Sequence, residues 1–388
     1  MASPPCAHAL LAAGVEVPYS RQAPPGTTGD LLAQAFGAAL AQSGFTARDV
    51  DGLGVSSFTL GPDHAIDLAW RLGITPRWCM DDALGGAGAL NLLQHAIRAI
   101  QGGDAGVIAL LAGDRFEAAD FKRLVEHYNL TTQTYLRPIE SGAPNSVFAM
   151  LTQRHAARYG LSRTDYGALC VAQRAWAQRN PLAVYRQPLT IAEYLVAPLV
   201  ADPLGRFDCV PVVCGANAVI VARADRVKTA RNVAVRSLQC LYNTNHQMAD
   251  GLQTPLAQVA GELWRTAGAG PQDMDLAAVY DDYPVMVLAQ MADLGFAPRD
   301  DLRALIARIA SGDLPVNTSG GQLSAGQAGA AGGMHGLVEA MTQLRGQAGD
   351  RQVESARLAL VTGYGMVQYR YGMCANAAVL EAVSGDGS

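Results

Sequence analysis

One arrangement occurs twice along this chain, and it constrains the fold more than any other feature. A loop of glycine and alanine opens a helix-like stretch, and an uninterrupted apolar run follows. The first copy is GGAGALNLLQHAIRAIQGG, starting at Gly85, followed by AGVIALLAGD. The second is GGQLSAGQAGAAGG, from Gly320 to Gly333, then MHGLVEAMTQLRGQ and ARLALVTGYGMVQ. CANAAVLEAV near the end echoes CGANAVIVA of the first half. Apolar runs without alternation are strands covered on both faces. A repeated loop–helix–strand unit then implies a duplicated α/β architecture with helices on both faces of each sheet. The expected halves are 1–225 and 226–388. Residues from about 115 to 205 break the pattern with more Arg, Tyr, Gln and Pro, and with amphipathic segments such as RTDYGALCVAQRAWAQRN. They are expected to form a helical lid inserted into the first half.

Half of the 388 residues are apolar and 16% are charged, so a large core is expected. The net charge of −5 is thinly spread, and no basic run or aromatic–basic stripe points to nucleic acid. No apolar run reaches the length that spans a bilayer. MASPPCAHALLAAGVEVPYSR lacks a basic start and is expected to be the first strand and its lead-in rather than a signal peptide. The seven cysteines form no CxxC, and most sit among apolar neighbours, as buried reduced thiols of a cytoplasmic protein do. The seven histidines are scattered without metal-ligand spacing, so no metal site is expected.

Six glycines and four alanines in the fourteen residues from Gly320 let a backbone or ligand approach the helix start closely. The exposed N–H groups and partial positive charge of a helix start suit a phosphate or a developing oxyanion. Close packing of two backbones explains the same composition.

These residues also carry a family likeness. VNTSGGQLSAGQAGAAGG with QLRGQAGDRQV resembles the C-terminal catalytic loop and helix of thiolases, most closely the sterol-carrier-protein-X and lipid-transfer-protein branch. Asn317, Gly320, Gly321, Gly326, Gly329 and Gly332 match its Asn-x-x-Gly-Gly-x-x-x-x-Gly-His-Pro-x-Gly-x-x-Gly pattern. VYDDYPVMVLAQMADLGF resembles the strand–turn–helix before it, and GGAGALNLLQHAIRAIQGG the nucleophile-bearing helix of the first half. The resemblance covers most of the chain outside the lid. It implies a thiolase fold of two five-stranded αβαβα halves, a homodimer, and an active site for an acyl-CoA. Coenzyme A then enters as part of the substrate, with no tightly bound cofactor.

The thiolase catalytic residues are missing. The nucleophilic Cys slot falls on Gly85 or Gly86, and the activating His of Gly-His-Pro is Gln327. The branch's His-Asp-Cys-Phe turn reads Tyr280-Asp281-Asp282-Tyr283, and the last catalytic loop holds Tyr364 between Gly363 and Gly365. A glycine holds no acyl group, and a glutamine takes no proton near neutral pH. Chemistry that passes through a thioester enolate without an acyl-enzyme survives this loss. Retro-aldol cleavage of a 3-hydroxyacyl-CoA is the simplest case, and it needs one or two acid/base groups. Tyr364, Tyr283, Asp282, Asp281, Tyr242 and Tyr280 are the candidates, with Tyr364 first. Asn317, Gln327, Gly326, Gly85, Gly86, Gly363 and Gly365 are the expected oxyanion and substrate-binding positions. Each Tyr also reads as a core residue with a satisfied hydroxyl, and the Asp281–Asp282 pair as a cap for the helix that Pro284 starts. Asp81 and Asp82 are expected to cap the Gly85 helix, and His335 to be a packed helical residue.

The set resembles thiolase-fold aldolases that shorten steroid side chains as coenzyme A esters. That likeness implies a small OB-fold and zinc-ribbon partner of the DUF35 type. Two other functions fit the sequence: an acetyl-CoA acyltransferase with displaced residues such as Cys374 or Cys79, and a non-catalytic acyl-CoA-binding scaffold.

Overall fold

The computed structural model describes residues 8–139, 144–244, 248, 250–367 and 372–384. The lead-in before His8, and Asn245 to Gln247 of the polar stretch after Cys240, lie outside them. The first half runs β1 (Ala9–Glu16), α1 (Thr28–Ser43), β2 (Gly52–Ser56), α2 (Ala65–Leu72), β3 (Trp78–Asp82), α3 (Gly88–Gly102) and β4 (Val107–Asp114). The insertion follows: α4 (Ala118–Glu126), α5 (Pro144–Tyr159), α6 (Arg163–Ala177), α7 (Ile191–Val196) and a small hairpin, β5 (Leu199–Ala201) with β6 (Leu204–Gly205). The chain then returns to the sheet as β7 (Gly215–Arg223). The second half holds β8 (Arg231–Tyr242), α8 (Leu256–Ala267), β9 (Leu276–Ala278), α9 (Pro284–Asp293) and α10 (Leu302–Ser311). It ends with α11 (Gly321–Ala325), α12 (Gly332–Leu344), β10 (Leu358–Val367) and β11 (Gly372–Ser384).

The strands form one nine-stranded sheet in the order β3-β2-β4-β7-β1-β8-β11-β10-β9. Five belong to the first half and four to the second. The halves join where β1 meets β8 antiparallel through Leu10↔Ala234 and Leu11↔Val233. Two five-stranded sheets were expected. The second half's fifth position is reduced to the bridge Ala277↔Val316, because the chain turns at Asn317, whose φ is +52°.

The helices sort the core into layers. α3 and α12 share one buried cluster with strands of both halves, including Leu11, Leu110, Val235 and Val361. α1 and α2 cover the outer face of the first half through Leu32, Phe36 and Leu68. α8, α9, α10 and the insertion cover the second through Leu263, Leu288, Leu305 and Phe148. This is an α/β fold with its two Gly-opened helices in the middle layer, so both Gly-rich loops end at one place.

Candidate active site

The start of α3 is enclosed by backbone. Gly85 to Ala87 form one tight turn, with Gly85 at φ +54°, a conformation that disfavours side chains. A Cβ on Gly333, at the head of α12, would lie 2.7 Å from the Gly86 carbonyl oxygen. A Cβ on Gly363 would lie 2.9 Å from the same oxygen, and one on Gly365 2.9 Å from the Ala87 nitrogen. Glycine occurs at these positions of α12 and β10 because the α3 turn packs directly on them. Gly326, at φ +115°, has Val213 beneath it and turns the chain toward Gln327.

The space beside Gly86 is filled by Tyr280. A Cβ on Gly86 would overlap the phenol at its ring carbon and hydroxyl. Tyr280 follows β9. Its backbone N–H donates to Thr362 Oγ1 at 2.9 Å, and its carbonyl accepts from Gln290 Nε2 at 2.7 Å. Its hydroxyl accepts from Gln327 Nε2 at 3.0 Å and bonds with the Asp282 carboxylate. Gln327 Nε2 also meets Asp282 Oδ1 at 2.5 Å and Gln322 Oε1 at 3.2 Å. Gln327 itself is fixed from the first half: its N–H donates to the Pro211 carbonyl and its carbonyl accepts from Val213 N–H. A phenol, a carboxylate and an amide thus meet at the mouth of α3. Burial raises the Asp282 carboxyl to about 6. Burial first, then the charge of Asp282, holds the Tyr280 phenol protonated well above its usual range. Asp282 stays partly exposed while Asp281 and Tyr280 are buried.

The other candidates are placed differently. Asp281 faces away from Gly86. It accepts from Gln322 N–H at 2.9 Å, from Leu323 N–H at 3.4 Å and from Gln173 Nε2 at 3.1 Å. It fastens α6 of the insertion to the start of α11, and burial raises it to about 7. A cap of α9 by this pair is not formed: Tyr283 is the N-cap residue, with no side-chain bond to the helix start, and Pro284 starts the helix. The Tyr283 hydroxyl donates to Asn145 Oδ1 at 2.6 Å, and its ring stacks on Phe148, both residues of α5. Tyr364 is buried, and strand alternation turns it to the sheet face opposite Gly363 and Gly365, into the cluster of α9 and α10. Tyr242 is half-exposed and bonds Asn91 on α3, which donates to Asp82 at 2.6 Å. Asp82 also accepts from Leu84 N–H at 2.8 Å, whereas Asp81 accepts from Ala65 N–H and serves α2. Asn317 Oδ1 accepts from Val279 N–H at 2.7 Å, so that oxygen braces the end of β9. Its Nδ2 lines a small enclosed space with Ser319 and His335 behind the site. His335 is packed there, bonded to Glu16 at 2.6 Å and Ser319 at 2.7 Å.

Three contributors escaped sequence reasoning. Tyr128, after α4, lies close enough to Asp282 for that charge to raise its phenol, and it reaches the backbone of Met366 and Val367. Gln322 shares the Gln327 amide. Phe58 closes over Gly85, with its Cζ 3.2 Å from where a Cβ would stand. Contacts across the two halves have no signal in spacing along one chain. Among the described residues no thiol joins the mouth: Cys79 is exposed on β3, and Cys374 is buried between strands, its thiol pushed up by desolvation. Among the described residues no group of His, Cys, Asp and Glu is arranged to hold a metal, and no helix is long and apolar enough to cross a membrane.

Residues 239–380 match the family described as thiolase C-terminal domain-like. The chain is 31% identical over 339 residues to a 17-hydroxy-3-oxo-4-pregnene-20-carboxyl-CoA lyase of Mycobacterium tuberculosis, across 81% of this chain and 86% of that one. It is 27% identical over 357 residues to a steroid side-chain-cleaving aldolase of Thermomonospora curvata, across 87% of this chain and 90% of that one. Its fold is similar to that of a solved Ltp2-ChsH2(DUF35) aldolase, with a TM-score of 0.82, 25% identity and 98% of each chain covered.

Proposed function

This chain belongs to the thiolase superfamily, in its branch of thiolase-like aldolases, and on that premise we propose that it cleaves a 3-hydroxyacyl-CoA by a retro-aldol step. The observation that carries the reading is the Tyr280 phenol bonded to Asp282 in the space that Gly86 leaves open. With its carboxyl near 6, Asp282 is mostly ionised at neutral pH and takes the proton of the substrate's 3-hydroxyl. The C3–O bond becomes a carbonyl, the C2–C3 bond breaks, and its electron pair passes into the thioester as an enolate. Gln327 Nε2 has two N–H donors for three protein acceptors, so the thioester oxygen takes one of them as charge gathers there by displacing the longest of these bonds, that to Gln322 Oε1 at 3.2 Å. Tyr280 gives its proton to C2. The hydrogen bond between Tyr280 and Asp282 then returns the proton that Asp282 accepted, and the pair is reset without an outside acid.

A steroid-derived acyl group is the substrate class supported by the two relatives, whose names specify steroid side chains. A DUF35 partner belongs to the same reading, supported by the similar solved complex. A homodimer through β3 is supported by two features: the strand pairs only with β2, and α2 beside it exposes Ile66 and Trp70. The six cysteines among the described residues are free thiols, which supports a reducing, cytoplasmic setting. Coenzyme A enters as part of the substrate, and no resident cofactor is invoked. An acyltransferase step needs a nucleophile at the α3 mouth, and Tyr280 fills that space.

The test is mass spectrometry of the purified protein, with and without a co-expressed DUF35 protein. It is offered 3-hydroxyacyl-CoAs with a tertiary hydroxyl and, separately, a 3-ketoacyl-CoA with free coenzyme A. A ketone and a shortened acyl-CoA, lost in Tyr280→Phe, support the aldolase. Thiolysis through an acylated cysteine overturns it. Tight acyl-CoA binding without either product points to a scaffold.

A further inference from the structure

Tyr185, in the loop between α6 and α7, has three guanidinium groups around its ring. Arg21, from the loop after β1, stands 5.1 Å from the ring centre, and its Nη2 donates to the Tyr185 hydroxyl at 3.0 Å. Arg174, on α6, stands 5.1 Å from the same centre, and Arg206, just after β6, stands 6.0 Å from it. Arg174 and Arg206 also share Phe207, at 5.5 Å and 5.9 Å from its ring centre.

This cluster lacks counter-charge. Other shielded arginines are answered by acids, Arg299 by Asp293, Arg351 by Glu339 at 2.9 Å and Arg115 by Glu117 at 2.8 Å. Among the described residues no carboxylate forms an ion pair with Arg21, Arg174 or Arg206. Asp208, two residues after Arg206, is committed to the Tyr194 hydroxyl at 2.6 Å and the Gly205 N–H at 2.7 Å. Arg174 is only 5% exposed. Its Nε donates to Ser324 Oγ at 2.9 Å and its Nη1 to the Gln187 carbonyl at 3.2 Å, while Nη2 bonds no group among the described residues. Burial lowers the pKa of this guanidinium, and the charge of Arg206 lowers it further. Stacking on aromatic faces returns only part of what two neighbouring cations lose. Forked donors without protein acids are the arrangement that receives phosphate oxygens, and a phosphate brings more negative charge than a single carboxylate.

The cluster is fastened to the loop that carries Gln327. Tyr185 N–H donates to the Ser324 carbonyl at 2.9 Å, and Val184 N–H to the Ala325 carbonyl at 3.3 Å. From Ser324 to Gln327 is at most about 11 Å of extended chain, which the pantetheine arm of a coenzyme A ester spans.

We propose that Arg21, Arg174 and Arg206 form a seat for a phosphate group carried by a small ligand. That group comes either from the nucleotide end of the acyl-CoA or from a free phosphorylated molecule. The first source rests on the acyl-CoA substrate of the reading above, not on its bond-breaking step. Arg21→Gln and Arg206→Gln change exposed side chains, and melting curves confirm that both variants fold. Equilibrium dialysis at low salt, which needs no turnover, uses labelled coenzyme A, inorganic pyrophosphate and an S-acyl pantetheine, which has no phosphate. If the nucleotide is the source, each variant weakens coenzyme A about tenfold, and the S-acyl pantetheine binds all three proteins alike. If the source is a free phosphate, pyrophosphate binds the unaltered chain, both variants lose it, and coenzyme A affinity is unchanged. Unchanged binding of coenzyme A and pyrophosphate in both folded variants overturns the proposal and leaves the arginines as stacking partners. Equal weakening of the S-acyl pantetheine overturns it too, because the damage is then general. A chain that holds coenzyme A through these arginines and cleaves no hydroxyacyl-CoA sinks the aldol reading and keeps the phosphate seat.

Discussion

The phenol of Tyr280 occupies the volume that a side chain on Gly86 would need. Tyr280 and Gly86 come from different halves, and the volume of the side chain that Gly86 lacks is taken by the Tyr280 phenol. The first expectation follows directly. Tyr280→Phe keeps the ring and removes the proton donor, so kcat falls about 10²- to 10⁴-fold with KM nearly unchanged. Asp282→Asn falls in the same range. Steady-state kinetics on a 3-hydroxyacyl-CoA, with a melting curve to confirm folding, decides it.

Restoring the thiolase residues does not restore thiolysis. Gly86→Cys with Gln327→His supplies both missing groups, but the new side chain meets the Tyr280 ring. The expected result is an unacylated protein with a lowered melting temperature. Mass spectrometry that finds the acyl group on the introduced thiol of this double variant contradicts the geometry.

Activity and stability run in opposite directions with pH. Burial raises Asp114 and Asp282 to about 6 and Asp281 to about 7, from an ordinary 3.8. The folded state therefore holds these protons more tightly than the unfolded one. Their contribution to stability is fully present below 3.8 and is lost as pH rises through 6 to 7. Catalysis needs Asp282 ionised, so kcat/KM falls below about 6. Urea unfolding at pH 5.5 and pH 8 should give the larger free energy at the lower pH, while turnover is larger at the higher. A kcat/KM that does not fall below about pH 6 removes Asp282 as the base.

Asp114, at the end of β4, accepts from Phe58 N–H, Thr59 N–H, Ser57 Oγ, Thr59 Oγ1 and Ala330 N–H, and Asp114→Ala leaves these five hydrogen bonds without their acceptor. The expected loss is about 3 kcal/mol of unfolding free energy, the scale for breaking a buried charged network. Asp114→Asn keeps the volume and one good acceptor and should lose less. Urea midpoints for the three proteins rank them.

Much of this was legible in the sequence, and the limits are instructive. Apolar periodicity and paired Gly-rich loops foretold the duplicated α/β halves and the insertion, because burial on both faces leaves continuous hydrophobic runs. Gln327 was legible as a cavity residue from its place in the loop. The packing of the tyrosines was not. Tyr364 drew attention through its flanking glycines, yet those glycines answer the packing of α3, and alternation sends Tyr364 to the other face. Tyr280 ranked low because what singles it out is Gly86, almost two hundred residues earlier. Asp281 read as a catalytic candidate or as a cap for the helix just after it, and it instead caps α11, forty residues on, while holding the insertion through Gln173. Chain order shows local partners, and these partners are set by topology.

The contact of Gly333 on the Gly86 carbonyl has a dynamic consequence. Two backbones meeting without side chains leave no compressible layer between them. Any swing of one half against the other parts Tyr280 from its pocket before it opens a path for substrate. The junction of α3 and α12 therefore behaves as a fixed anvil. The insertion is tied down onto the same half at several points, Gln173 to Asp281, Arg174 to Ser324 and Asn180 to Ser319, so the site is braced from above as well as from below.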